Sequence, residues 1–316
     1  MGLRGEQGKA PKRVVLISGG VGGARMARGL AEVLPSDVLS VVVNVGDDLR
    51  AYGLAVSPDL DTVLYTLAGI EGPHGWGIAG DTYSAMERLS EAGLDTEFKI
   101  GDKDLVTNLV RTAALDRGET LSQATVALGA AMGVEVQVFP ATDAPVKTKV
   151  AITGGEWLDF QDYFVIRGNR DDVTDLRFDG AESASPAPGV VEAISAAEAV
   201  VIAPSNPPLS VWPVLAIPGI RSAIEAAPRV VGVSPLFGGV ALKGPAHRVM
   251  KSLGLPPGNL GVLAAYQGLL SDLVIDVGDG TERDTLAGQV KLHITDTRMP
   301  DLASSARLAR SVLEIL

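Results

Sequence analysis

The chain has 316 residues, 46% of them hydrophobic but only 4% aromatic, and a formal net charge of -11. That length holds one large α/β domain or two smaller ones, with Ala, Val and Leu left to fill the core. The acidic balance argues against a nucleic-acid partner, because phosphate backbones attract basic surfaces, and the absence of cysteine excludes disulfides, thiolate zinc sites and cysteine nucleophiles together.

The first dozen residues, MGLRGEQGKAPK, are polar, basic and Gly-rich, without the apolar run of a signal peptide. Residues 1–13 therefore read as a disordered tail ahead of a single domain over residues 14–316. The first apolar run, Val14–Ile17, leads into SGGVGGAR at Ser18–Arg25, a strand-to-helix turn, and a helical pattern over Gly23–Leu34. Gly19, Gly20, Gly22 and Gly23 let backbone approach a phosphate closely, and the helix start adds N–H groups and a positive dipole end. Arg25 adds a charged donor. The turn is neither a complete GxGxxG fingerprint nor a Walker loop, and a tight turn with no ligand is the competing reading.

A second apolar run, Val38–Val43, precedes NVGDDLRAYGLAVSPDLDTVLY, which carries Asp47, Asp48, Asp59 and Asp61 ahead of a helix over Leu60–Leu67. Paired aspartates repel unless a cation or hydrogen-bond donors lie between them. Asp48 and Asp61 are the preferred ligands of a hard ion, with Mg²⁺ the leading candidate. Against this, Ser57 or Asp59 serves as a plain N-cap and Asp47 as a solvated acid. Only three histidines occur, His74, His247 and His293, far apart in sequence, so a His-based metal site or triad has little support.

Residues from Gly80 to Met132 are almost all helical in pattern (Tyr83–Ala92, Asp104–Arg117, Leu121–Met132) and suggest a helical subdomain over about 80–132. Trp76 and Tyr83 lie in a Gly-rich stretch where an exposed ring can stack on a flat ligand, although core packing is the commoner fate of a Trp. The segment FKIGDKDLVTNLVR offers Lys99, Asp102, Lys103 and Arg111, which by residue type alone belong in surface pairs. A strand over Val134–Phe139 follows, and Val150–Phe178 alternates like a small antiparallel excursion, about 150–178. Val200–Ala203 leads into APSNPPLSVWP, a proline-stiffened turn presenting Ser205 and Asn206, and then a helix over Ser210–Ala227. Val230–Val233 precedes SPLFGGVALKGPAH, a weaker phosphate-type loop with Lys243, and a helix over Ala246–Leu253. Leu273–Val277 and a final helix over Ala303–Leu316 complete the chain. The uncharged run Ala199–Ile220 holds Pro204, Pro207, Pro208, Pro213 and Pro218, which rule out a regular membrane helix, so the chain reads as soluble and cytoplasmic.

Short Val-rich runs alternating with helices imply an α/β fold: a doubly wound, mostly parallel, Rossmann-like sheet with the helical subdomain and the small β excursion added. Ligands in such sheets bind beyond the carboxyl ends of the strands. That places Ser18–Arg25, Asn44–Asp61, Pro204–Leu209, Ser234–Lys243 and Asp276–Asp279 around one crevice.

SGGVGGARMARGL, NVGDDLRAYGLAVSPDLDTVLYTLAGI, GWGIAGDTYSAMERL, FKIGDKDLVTNLVR, FQDYFVIRG, APSNPPLSVWPVLAIPGIR and VSPLFGGVALKGPAHRVM together resemble the 2-phospho-L-lactate transferase family, from about Val14 to Leu316. The version is most similar to the actinobacterial one, a phosphoenolpyruvate transferase. The resemblance implies a Mg²⁺-dependent, usually homodimeric enzyme of coenzyme F(420) biosynthesis. The terminal ribityl hydroxyl of the deazaflavin Fo would attack the phosphorus next to a three-carbon acid in its guanosine diphosphate derivative, releasing GMP. By the same resemblance Asp61, closing SPDLD, and Lys99, ahead of GDKD, contact Fo. Asp48 and Asp61 fit the metal, and the APSNP loop with Ser205 and Asn206 fits the nucleotide. Whether the acid is lactyl or enolpyruvyl is left open, as is the identity of any general base. Asp61→Asn is expected to keep the fold and lose most turnover. The competing assignments are a nucleotide-sugar-binding regulatory protein of the same fold and a nicotinamide oxidoreductase, which would need the complete fingerprint.

Overall fold

The computed structural model describes residues 13–316, so the tail expected over residues 1–13 lies, all but its last residue, outside the described residues. In chain order, β1 (Val14–Ser18) and α1 (Gly20–Val33) are followed by β2 (Leu39–Val43), a hairpin of β3 (Leu49–Ala51) and β4 (Leu54–Val56), and α2 (Pro58–Ala68). Helices α3 (Ser84–Glu91), α4 (Asp102–Asp116) and α5 (Leu121–Ala131) precede β5 (Gln137–Pro140). Next come β6 (Lys147–Ile152), β7 (Trp157–Asp159), β8 (Val173–Asp179), α6 (Val190–Ala196), β9 (Ala199–Ile202), α7 (Trp212–Leu215) and α8 (Ile220–Glu225). The last part holds β10 (Val230–Val233), a short hairpin of β11 (Leu236–Phe237) and β12 (Val240–Ala241), α9 (Ala246–Ser252) and α10 (Gly258–Ala265). It closes with β13 (Asp272–Asp276), α11 (Arg283–Leu286), β14 (Lys291–Thr295) and α12 (Leu302–Ile315).

Seven strands pair in the order β14-β13-β10-β9-β1-β2-β5, every pair parallel. The chain runs outward from β1 through β2 to β5 and then crosses back to β9 on the other side of β1. The order therefore reverses between β1 and β9, and the crevice belongs there. Strands β1 and β9 are buried at every position, as continuous Val, Ile and Leu runs covered on both faces should be. Helix α1 packs between α2 and α12, and α6 pairs with α8.

The β excursion is a separate antiparallel sheet, β7-β6-β8, spanning Lys147 to Asp179. Its core of Val150, Leu158, Tyr163 and Val173 is distinct from the main one. In the helical region, α3 and the approach to α4 share a small core with the β3–β4 hairpin around Leu54, Val56, Met86 and Ile100. Helix α5 instead joins the main core through Leu121 and Leu128.

The helix expected over Ser210–Ala227 is not continuous. A π-type turn at Pro207–Val211 passes into α7, and Gly219 at φ 93° then separates α7 from α8. Pro213 and Pro218 cannot donate to a continuing helix, and the left-handed backbone at Gly219 ends any helical run. Strand β14 was not anticipated, because KLHIT is only partly buried and begins with a lysine, as an edge strand does. The short helices α6 and α10 were not anticipated either. No helix among the described residues is long and apolar enough to cross a membrane.

Candidate active site

The turn after β1 and the turn after β9 are stitched together. Ser205 Oγ donates to the Gly19 carbonyl at 2.7 Å and accepts from the Gly19 N–H at 3.3 Å. Gly22 is needed for this packing, and Gly23 for a close approach to Ser18 as well as to Ser205. A Cβ on Gly22 would lie 2.2 Å from the Pro204 carbonyl oxygen, and one on Gly23 would lie 2.3 Å from Ser18 Oγ. The glycine pattern thus allows two loops to touch at the point where the sheet order reverses. The Asn206 side chain accepts from the Leu209 N–H at 3.3 Å and caps the π-type turn. Arg25 does not turn toward the glycines: its guanidinium donates to the Met299 carbonyl at 3.0 Å.

The start of α1 already faces a carboxylate. Asp59, in the first turn of α2, accepts from the Gly20 N–H at 2.8 Å. Asn44 ends β2 and is fully buried; its amide donates to Asp59 at 3.0 Å and to Asp47 at 2.7 Å. Its carbonyl oxygen accepts from the Gly46 N–H at 2.8 Å, which fixes the amide orientation. Asp48 accepts from Ser57 Oγ at 2.8 Å on one oxygen. Its other oxygen, Oδ1, is buried with no hydrogen-bond partner among the described residues.

Asn44 therefore gathers two buried carboxylates, Asp47 and Asp59, with Asp48 next to Asp47 in the chain and held by Ser57. Burial acts on all three. It pushes the carboxyl of Asp47 well above the usual range, with the Asp59 charge adding to the effect. Burial also raises Asp48 well above it, partly opposed by the Ser57 hydrogen bond and the Arg111 charge. Asp59 rises to about 6, held back by its bonds to Asn44 and Gly20. Such a group is short of positive charge.

Asp61 lies in a different environment. Both its oxygens meet Arg111, which is 1% exposed; the Nη1–Oδ2 distance is 3.0 Å and Nη2 bonds Oδ1. Arg111 Nη1 also donates to Asn108 at 2.9 Å. Beside this pair Tyr65 donates to Asp104 at 2.6 Å. Burial, with the Asp61 charge, lifts Asp104 to about 6. Burial raises Asp61 too, and Arg111 opposes the shift.

Helix α4 supplies this network because it is built inside out. Thr107, Asn108, Arg111 and Thr112 face inward, while Val106, Leu109 and Val110 stand 47–58% exposed. The expectation of Arg111 on the surface is thus overturned. Residue type alone pointed to a surface pair, because an arginine is rarely fully buried unless it is paired. Asp102 and Lys103 do lie outside, Asp102 capping the start of α3 through Ser84 and Ala85. Lys99 is exposed just before α4 and makes no hydrogen bond or ion pair among the described residues.

Loops from both halves of the sheet close around the glycine turn. Gly75 packs on Val21, and Lys243 donates to the His74 carbonyl at 2.9 Å. Trp76, 54% exposed, stacks on His74 beside them. A cavity of about 260 Å³ adjoins Asp47 and Asp48 on the other side, bounded by Lys147, Thr148 and Gln161.

The donor set suits a hard divalent ion. All candidate ligands are carboxylate oxygens, and Asp48 Oδ1 has no donor among the described residues. Among the described residues, no three His, Cys, Asp or Glu side chains are arranged as a complete cage. Mg²⁺ does not require one, since it commonly takes one or two carboxylates and completes its shell with phosphate oxygens and water. Asn44 and Asp59 were underweighted by sequence reasoning. The signal for Asn44 was a lone polar residue closing an apolar strand; the signal for Asp59 was an acid at the second position of a helix, behind Pro58.

A family profile described as 2-phospho-L-lactate transferase CofD matches residues 14–307. The chain is 40% identical over 312 residues to a phosphoenolpyruvate transferase of Kitasatospora aureofaciens, covering 96% of this chain and 97% of that one. It is 40% identical over 309 residues to a 2-phospho-L-lactate transferase of Methanopyrus kandleri, covering 96% and 97%. The fold is similar to a crystal structure of a UPF0052 family member from Bacillus halodurans, with a TM-score of 0.63 and 17% identity over 96% of this chain and 100% of that one.

Proposed function

This chain belongs to the 2-phospho-L-lactate transferase family, and from that premise we propose that it moves a phosphoenolpyruvyl or 2-phospholactyl group from its guanosine diphosphate derivative to Fo. The terminal ribityl hydroxyl oxygen of Fo attacks the phosphorus next to the acid, the bond from that phosphorus to GMP breaks, and the hydroxyl proton is released. The product is the phosphodiester of coenzyme F(420) biosynthesis.

One observation supports this above the others: a buried carboxylate cluster, Asp47, Asp48 and Asp59, set against the glycine turn where the sheet order reverses. Phosphoryl transfer depends mainly on positioning and charge neutralisation, not on a strong protein nucleophile. Asp48 would hold Mg²⁺ through its unpartnered oxygen, with Asp61 presenting the lone pairs that Arg111 leaves. Bound there, the ion would offset both the carboxylate repulsion and the charge developing toward GMP. The Gly20 N–H is taken by Asp59, so the N–H groups of Val21 and Gly22, which have no intrahelical partner by helix geometry, are those left to meet a phosphate oxygen. Ser205 holds that turn in place, Asn206 stiffens the loop on the nucleotide side, and Lys99 meets Fo from the exposed approach to α4.

The working form in this reading is a cytoplasmic homodimer, with the exposed apolar side of α4 as the face between copies. The reaction is tested by incubating the protein with Fo and each guanylated acid, with and without Mg²⁺, and weighing the product. The expected result is one Mg²⁺-dependent phosphodiester, whose mass names the acid. No product from either donor would overturn the assignment.

A further inference from the structure

Arg111 is among the largest fully buried side chains of the described residues, and the reaction above assigns it no role. It comes from the polar inner face of α4, and it touches both arms of the site. One arm is Asp61, bonded through both carboxylate oxygens. The other is the β3–β4 hairpin, where Arg111 Nη1 reaches the Ala55 carbonyl at 3.4 Å. The neighbouring Thr112 accepts from the Ala55 N–H at 2.8 Å, so both polar groups of Ala55 are held by α4. Two residues beyond Ala55 lies Ser57, whose hydroxyl holds Asp48. Asn108 braces Arg111 from the same helix face.

We propose that Arg111 is a positioning residue for the transfer reaction: by gripping Asp61 and the hairpin strand that carries Ser57, it fixes the orientation of Asp61 relative to Asp48. The inference rests on the reading of Asp61 and Asp48 as working carboxylates. A planar guanidinium can hold two oxygens of one carboxylate and a further acceptor in a fixed fork, which a lysine ammonium cannot do. The inverted polarity of α4 follows from the same requirement. A helix that delivers Arg111, Asn108 and Thr112 to a buried site must turn its polar side inward.

The test compares Arg111→Lys, Arg111→Met, Asp61→Asn and the Arg111→Met/Asp61→Asn double variant in the product assay, with melting temperatures recorded for each. Arg111→Lys keeps the charge and should fold; it should lose about 10-fold in kcat, and Arg111→Met about 100-fold, as for misplacement of a reacting group. KM for both substrates should change less than kcat. Adding Asp61→Asn to Arg111→Met should cost less than about 3-fold more, because the two residues act as one unit. A folded Arg111→Lys with wild-type kcat would overturn the proposal, as would single losses that multiply in the double variant. Should Arg111→Met fail to fold, Arg111→Lys alone decides. Wild-type turnover in Asp61→Asn would instead remove Asp61 from the site, a separate failure of the underlying reading.

Discussion

Asp48 and Asp61 carry the same carboxyl group and meet opposite neighbours. Asp61 is clamped by a buried guanidinium, so Asp61→Asn leaves Arg111 charged, buried and without its counter-ion. Breaking such a pair costs about 3–5 kcal/mol. The expectation that Asp61→Asn would keep the fold intact is therefore revised: the variant should lose turnover and also melt well below wild type. Asp48 behaves in the other direction. Its carboxyl is raised well above the usual value, chiefly by burial. A carboxyl raised in the folded state favours folding while protonated, and that contribution is lost as pH rises through its folded value. Above that folded value the ionised Asp48 is a burden on the fold, and Asp48→Asn relieves it while keeping an acceptor for Ser57. The expected outcome is a melting temperature at or above wild type with turnover down about 100-fold, measured by calorimetry and by product formation. An Asp48→Asn variant with near-normal turnover would take Asp48 out of the mechanism.

Among elements, the glycine turn and α4 show where local patterns mislead. The turn was read as a phosphate cradle because glycines precede a helix. In the structure Gly22 is required first by the approach of the β9 loop and Gly23 by the closeness of Ser18, and Asp59 occupies the first N–H of α1. Gly22→Ala would drive a methyl against the Pro204 carbonyl, a main-chain atom that cannot swing away. It should cost roughly 1–3 kcal/mol, as overpacking does. Gly280→Ala, with none of the described residues beyond its own turn within 4 Å of the added carbon, should stay near wild type. Thermal melts of the two variants check this, and equal stabilities would show that the β1 and β9 loops are less tightly joined. Helix α4 was legible as a helix, but Arg111 on it was assigned to the surface by residue type and is buried instead. The error has one cause: the buried partner of its polar side, Asp61, is 50 residues away in sequence.

Across the described residues, the seven-strand parallel order brings the turns after β1, β2 and β9 together and leaves the apolar side of α4 exposed. If that side joins two copies, Leu109→Glu/Val110→Glu should convert a dimer to a monomer in light scattering, with the far-ultraviolet spectrum unchanged. An unchanged mass would place any interface elsewhere. The alternation of Val-rich runs with helices was enough to establish the doubly wound class, because a strand buried on both faces must be apolar along its whole length. The position of the crevice followed from the rule for such sheets, and the glycine turn, the aspartate segment and the Ser205 loop could be named from their places after strands. Pairing between distant side chains could not be read along the chain. That Asn44 gathers Asp47 and Asp59, that Arg111 is buried against Asp61, and that Arg25 points away to Met299 depend on which helix faces pack together. Packing choices of that kind balance desolvation against partners far apart in sequence, and only the folded arrangement brings those partners within hydrogen-bonding distance.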